Sequence, residues 1–118
     1  MNFARMTAQA ARIDGILARA PVLPVLRIDR IEDAVPLAQA LVDAGLPVLE
    51  VTLRSDIALA AIRRIADNVP DACVGAGTVL NPAQLAAVTA AGAAFAISPG
   101  ATDALYGAAV DSRRCDRE

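Results

Sequence analysis

Glu50, Thr52 and Arg54 occupy alternate positions of the segment Val48-Leu-Glu-Val-Thr-Leu-Arg54. A strand repeats every two residues, so these three side chains share one face and Leu49, Val51 and Leu53 share the other. On a covered sheet a carboxylate and a guanidinium are costly to desolvate unless they meet each other, water or a ligand. Two readings follow. In one, Glu50 and Arg54 form a buried ion pair that closes a polar layer. In the other they line a site at the carboxyl end of the strand, where α/β folds place their ligands. Arginine grips a planar anion through two parallel N–H donors, so the expected ligand is a carboxylate. Glu50 beside it is the candidate general acid/base, tuned by burial and by Arg54.

Two further segments end in chemistry-bearing residues. Val74-Gly-Ala-Gly-Thr78 resembles a glycine-rich nucleotide loop, but Leu80 stands where G-x-G-x-x-G needs its third glycine. Gly75 and Gly77 are equally well explained as sites of close packing against the strand. Thr78, one unit on from Arg54, is placed to donate a hydroxyl into the same pocket. Ser98-Pro99-Gly100 is turn chemistry, and it too falls at the end of an apolar run. Physical reasoning on these residues supports a small anionic substrate and proton transfer.

Residue counts narrow the mechanisms. All 11 basic residues are arginine, and the chain has neither lysine nor histidine. Ser-His-Asp and Cys-His catalysis, histidine metal sites, the P-loop lysine and a Schiff-base lysine are therefore absent from this sequence. Thirteen acidic residues leave a net charge of -2. With a pI near 5.0 and 3% aromatic residues, there is neither a basic face nor a stacking platform for nucleic acid. Cys73 and Cys115 are too few and too far apart for a zinc knuckle or a disulfide framework, and read as a buried thiol and an exposed one. Gln9, Arg12 and Asp14 interrupt any export-signal core, and no run approaches the roughly 18 apolar residues of a membrane span. A soluble cytoplasmic protein without a cofactor is expected.

The elements that must carry these residues alternate. Apolar runs recur at Val22-Leu-Pro-Val-Leu26, Val48 to Thr52, Cys73 to Gly77 and Ala94 to Ser98. Between them lie helical patterns. Asp33 to Ala44 sets Leu37, Ala38, Leu41 and Val42 on one stripe, with Pro36 in the first turn and Gly45 behind it. Ser55 is expected to cap a helix whose face is Ile57, Ala58, Ala61, Ile62 and Ile65, stopped by Asn68-Val-Pro70. Asn81 and Pro82 form a cap and first-turn pair, followed by Leu85, Ala86 and Val88 up to Gly92. A fourth helix is predicted from Thr102 to about Val110, and another helix precedes the first strand. Helical connections imply parallel strands covered on both faces, in an open doubly wound sheet or a closed barrel.

Four segments, Val22-Leu-Pro-Val-Leu26, Val48-Leu-Glu-Val-Thr-Leu-Arg54, Val74-Gly-Ala-Gly-Thr-Val-Leu-Asn81 and Ala96-Ile-Ser-Pro-Gly100, resemble in order those of the 2-keto-3-deoxy-6-phosphogluconate (KDPG) and 4-hydroxy-2-oxoglutarate aldolases. The resemblance runs from about residue 10 to about 112 and implies a (β/α)8 barrel, usually trimeric, with class I aldolase activity releasing pyruvate and glyceraldehyde 3-phosphate. It implies that Glu50 shuttles protons through water, that Arg54 and Thr78 hold the pyruvyl carboxylate, and that Pro99 is a wall of the pocket. It also implies an iminium-forming lysine on a later strand and a phosphate site near the last strands, neither of which this sequence contains.

The expected architecture is thus the first four strand-helix units of the barrel with an amino-terminal helix, in residues 1–112. Residues 113–118 form a tail outside the family pattern, read as a truncated product or a shifted frame. The partners expected are a small 2-oxo acid and further copies of the chain, with no nucleic acid and no membrane. The competing functional reading is a non-catalytic half-barrel that binds 2-oxo acids or only self-associates. An open-sheet nucleotide module is a third.

Overall fold

The computed structural model describes residues 15–16 and 22–98. Three parallel strands lie in sequence order, β1 (Val25–Leu26), β2 (Val48–Thr52) and β3 (Cys73–Gly77), and three helices follow them, α1 (Ala34–Asp43), α2 (Ala58–Asn68) and α3 (Pro82–Ala91). The fourth expected strand adjoins β3 through the parallel bridge Ala76↔Ala96, with Ala94 N–H donating to Val74 O at 2.8 Å and Ile97 N–H to Ala76 O at 2.8 Å. Gly15 and Ile16 are helical, as expected before the first strand. The helix predicted from Thr102 and the tail at 113–118 lie outside the described residues. Parallel strands in sequence order, alternating with helices, are the arrangement of successive units of a (β/α)8 barrel.

β1 is shorter than predicted. Pro24 carries no N–H for a ladder, so only its carbonyl pairs, accepting from Glu50 N–H at 2.9 Å. The helices end largely as their sequences dictate. Gly45, at φ +89°, lets Leu46 N–H reach Leu41 O at 2.9 Å and Gly45 N–H reach Val42 O at 3.0 Å, a Schellman closure of α1. The Asn81 side chain accepts from Gln84 N–H at 2.8 Å, capping α3, and Gln84 Oε1 reaches back past the cap to accept from Leu80 N–H at 2.7 Å.

Pairing register sorts the strand residues between two layers. Leu49, Val51, Val74 and Ala76 face the helices and join Ala34, Ala38, Ala61, Ile62, Ile65 and Val88 in one buried cluster. The expected α2 stripe is buried there apart from the half-buried Ile57. On α1, Leu37 turns to the rim and Ala34 takes the inward place, and on α3 the predicted Ala86 is exposed while Ala91 is buried. Alanines at the contacts let the helices approach the sheet closely. The opposite face carries Val48, Glu50, Thr52, Cys73, Gly75 and Gly77 in register. Its amino end is sealed by a second cluster of Ile16, Val48, Cys73, Ala94 and Phe95, with Leu23 against it.

Candidate active site

Above that apolar plug the inner face turns polar. Glu50 and Thr52 are the buried polar residues of the described chain, and Glu50 is only 7% exposed. Its neighbour across the ladder is Gly75, and the next residue on that face of β3 is Gly77. A methyl group at Gly77 would overlap Glu50 Oε2 and come within 2.6 Å of its carboxyl carbon. The Glu50 side chain therefore lies across β3 in space that only glycine leaves open. Gly75 does the same for the Phe95 ring. Close packing is thus the reason for the G-x-G pair, and what packs there is side chain: the acid above, the aromatic plug below.

Burial pushes the Glu50 carboxyl above its ordinary value. Among the described residues no hydrogen bond or ion pair engages its carboxylate, so of the two readings the Glu50–Arg54 ion pair is not the one formed. Arg54 lies just beyond the strand, in the turn at residues 53–54, and is exposed. Alternation stops at Thr52 because the chain turns there, which removes Arg54 from the strand face predicted for it. Arg27 and Arg30 are engaged with Asp29 and Glu32 at 2.9 Å and 3.3 Å, and Arg63 donates to Ala90 O at 2.7 Å. Arg54 has no such partner among the described residues.

Thr78 follows Gly77 at the carboxyl end of β3 and is half-buried. Its φ of +61° makes it the non-glycine residue with left-handed backbone among those described. For a β-branched residue that conformation costs about 1–3 kcal/mol and is found mainly where function demands it. Leu53 N–H donates to Gly77 O at 2.9 Å, so the Arg54 turn and Thr78 are held on adjoining strand ends. The structure thus brings Glu50, Arg54 and Thr78 to one end of the sheet, while Pro99 lies outside the described residues.

Two hydroxyls have roles that differ from expectation. Ser55 does not cap α2 through its side chain; its Oγ donates to Ile28 O at 2.6 Å. Thr52 Oγ1 donates to Leu26 O at 3.2 Å. Both bonds cross to the chain leaving β1. Sequence reasoning had placed Thr52 on the polar face but could not supply its partner, because the partner is a carbonyl 26 residues away.

The KDPG and KHG aldolase family model matches residues 13–115. The chain belongs to this aldolase family. It is 62% identical over 96 residues to the 2-dehydro-3-deoxy-phosphogluconate aldolase of Dickeya dadantii, covering 81% of this chain and 45% of that protein. The aldolase of Zymomonas mobilis ZM4, solved with 3-phosphoglycerate, superposes with a TM-score of 0.83 at 50% identity, over 87% of this chain and 49% of that one. A Legionella pneumophila KDPG aldolase, solved with pyruvate as a covalent carbinolamine, matches at a TM-score of 0.80 and 49% identity, over 83% of this chain and 48% of that one. This aldolase-family chain spans about half the length of the curated relatives it matches.

Proposed function

We propose that this chain carries the proton-transfer and carboxylate-binding side of an aldolase site, acting on 2-keto-3-deoxy-6-phosphogluconate or 4-hydroxy-2-oxoglutarate and releasing pyruvate and an aldehyde. The observation that carries the reading is Glu50, a buried carboxyl without a partner among the described residues, bedded on Gly77 and pushed above its ordinary value. A carboxyl so placed exchanges protons near neutral pH more readily than an exposed one. In the cleavage direction Glu50, through water, takes the proton of the substrate hydroxyl as the adjoining carbon-carbon bond breaks. The bonding pair passes to an iminium at the former keto carbon, and the same proton then goes to the enamine carbon, giving the iminium of pyruvate, which water hydrolyses to free pyruvate and the amine.

The guanidinium of Arg54, which has no partner among the described residues, and the hydroxyl of Thr78 are assigned to the carboxylate of the 2-oxo acid, and Pro99 to the pocket wall. Carbinolamine and iminium formation need an amine, and these 118 residues contain no lysine. In this reading the nucleophile is supplied by polypeptide other than these residues. Residues 1–112 as a barrel half, 113–118 as a separate tail, and a cytoplasmic homo-oligomer belong to the same reading.

Pyruvate titration followed by NMR tests the assignment. Binding to the 118-residue chain should weaken about tenfold or more in Arg54→Ala, the loss expected for a charged hydrogen bond. Borohydride should leave no pyruvate adduct on the chain. Equal affinity of the two proteins, or a reduced adduct, would overturn the assignment. A second reading, assembly without catalysis, is favoured by Val25, which faces the inner side and is 61% exposed on the edge strand β1. Sedimentation showing a stable monomer with intact pyruvate binding would remove it.

A further inference from the structure

The turn after β2 is held on both sides of Arg54, toward β1 by two side chains and toward β3 and α2 by the backbone. The β1–β2 ladder ends at Leu26↔Val51. Beyond it Thr52 Oγ1 donates to Leu26 O at 3.2 Å, and Ser55 Oγ donates to Ile28 O at 2.6 Å. On the other flank Leu53 N–H reaches Gly77 O at 2.9 Å, and Ser55 O accepts from Ala58 N–H at 3.3 Å. Residues 52, 53 and 55 are thereby tied to three different segments. The described structure gives Arg54, between them, no side-chain partner.

We propose that Ser55 is a positioning residue for Arg54: its hydroxyl ties the turn to the chain leaving β1 and so presents the guanidinium to the substrate carboxylate at the carboxyl end of the sheet. The proposal rests on the assignment of Arg54 given above. An exposed arginine loses much rotational freedom when it clamps an anion, and anchoring the backbone on which it stands reduces the ordering left to be done at binding. The serine is not needed by the helix that follows. α2 starts at Ala58 without a side-chain cap, and the one local bond from Ser55 uses its backbone carbonyl. The hydroxyl is committed to the sheet instead. Thr52 acts on the same turn from the strand side, but it is buried beside Glu50, so Ser55, half-buried and outside the strand, gives the cleaner test.

The experiment uses the 118-residue chain and its variants Ser55→Ala, Ser55→Thr and Ser55→Ala with Arg54→Ala. Removing one hydrogen bond should lower pyruvate affinity about fivefold in Ser55→Ala, and Ser55→Thr, which keeps the hydroxyl, should restore it. In the Arg54→Ala background Ser55→Ala should cost nothing further. The steady-state heteronuclear NOE of the Arg54 backbone amide should fall in Ser55→Ala and recover in Ser55→Thr, with pyruvate absent. An unchanged NOE, or an equal loss of affinity in both Arg54 backgrounds, overturns the proposal. If Ser55→Ala loses its dispersed spectrum, Ser55→Cys, a near-isostere with a weak donor, carries the same expectations. Failure of the wild-type chain to bind pyruvate would overturn the substrate assignment and with it the role at binding; the NOE would then report the tether alone.

Discussion

Leu49 and Glu50 are adjacent in the chain and both are buried, yet they lie in opposite kinds of interior. Leu49 points into the aliphatic layer between sheet and helices, where it joins a buried apolar cluster whose alanines allow close approach. Glu50 points to the inner face, where the layer is made of glycine, threonine and its own carboxyl. The outer layer gains free energy by excluding water from hydrocarbon. The inner one spends some of that stability to keep dry an acid that has no compensating charge among the described residues. The two faces of one sheet thus differ in kind, with the outer securing the fold and the inner holding the candidate acid.

The comparison can be broken most directly at Ile62, which is fully buried among the residues facing the helices. Ile62→Ala should cost about 2–5 kcal/mol in urea unfolding. A loss under 1 kcal/mol, of the order of a surface change, would mean that the outer layer is not the stabilising one.

A smaller effect is expected where the inner face is shaped. Gly77→Ala pushes a methyl group into Glu50 and should cost about 1–3 kcal/mol. Because the obstruction is the Glu50 side chain, the cost should largely disappear when Gly77→Ala is combined with Glu50→Ala. An unrelieved cost in the double variant would show that the glycine serves the backbone of β3 rather than the acid.

The smallest effect lies in pH dependence. Glu50 holds its proton more tightly folded than unfolded, because burial penalises the anion. Its contribution to stability is therefore fully present below the unfolded carboxyl value and is lost as pH rises through the raised folded value. Thermal unfolding of wild type and Glu50→Gln at about pH 4 and about pH 8 should show wild type losing ground to the variant at the higher pH. Parallel behaviour of the two proteins would mean that the inner face tolerates the charge.

Much of the scaffold was legible because its causes are local. The α2 stripe follows from helical periodicity, and the Asn81 and Pro82 pair starts α3 as the residue types require. Ser55 shows where local reasoning fails: the same hydroxyl serves equally well as a cap or as a donor to a distant carbonyl, and only the approach of the chain leaving β1 selects the second. Arg54 fails differently. Alternation on β2 predicts the face of residues 50 and 52, but the strand ends before 54, so extending the period by one step assigned Arg54 a strand face that the turn removes.

Residue types and spacings alone determined the alternation of strands and helices, the polar face of β2, the absence of an amine nucleophile among these residues and the resemblance to the aldolases. Each is a property of composition or of short-range order. The tertiary structure decided what could not be read along the chain: that Gly77 makes room for Glu50, that no described residue gives Glu50 a counter-charge, and that Thr52 and Ser55 fasten the Arg54 turn. Those facts depend on register between strands about 25 residues apart, and register is set by packing of the whole sheet rather than by any one segment of it.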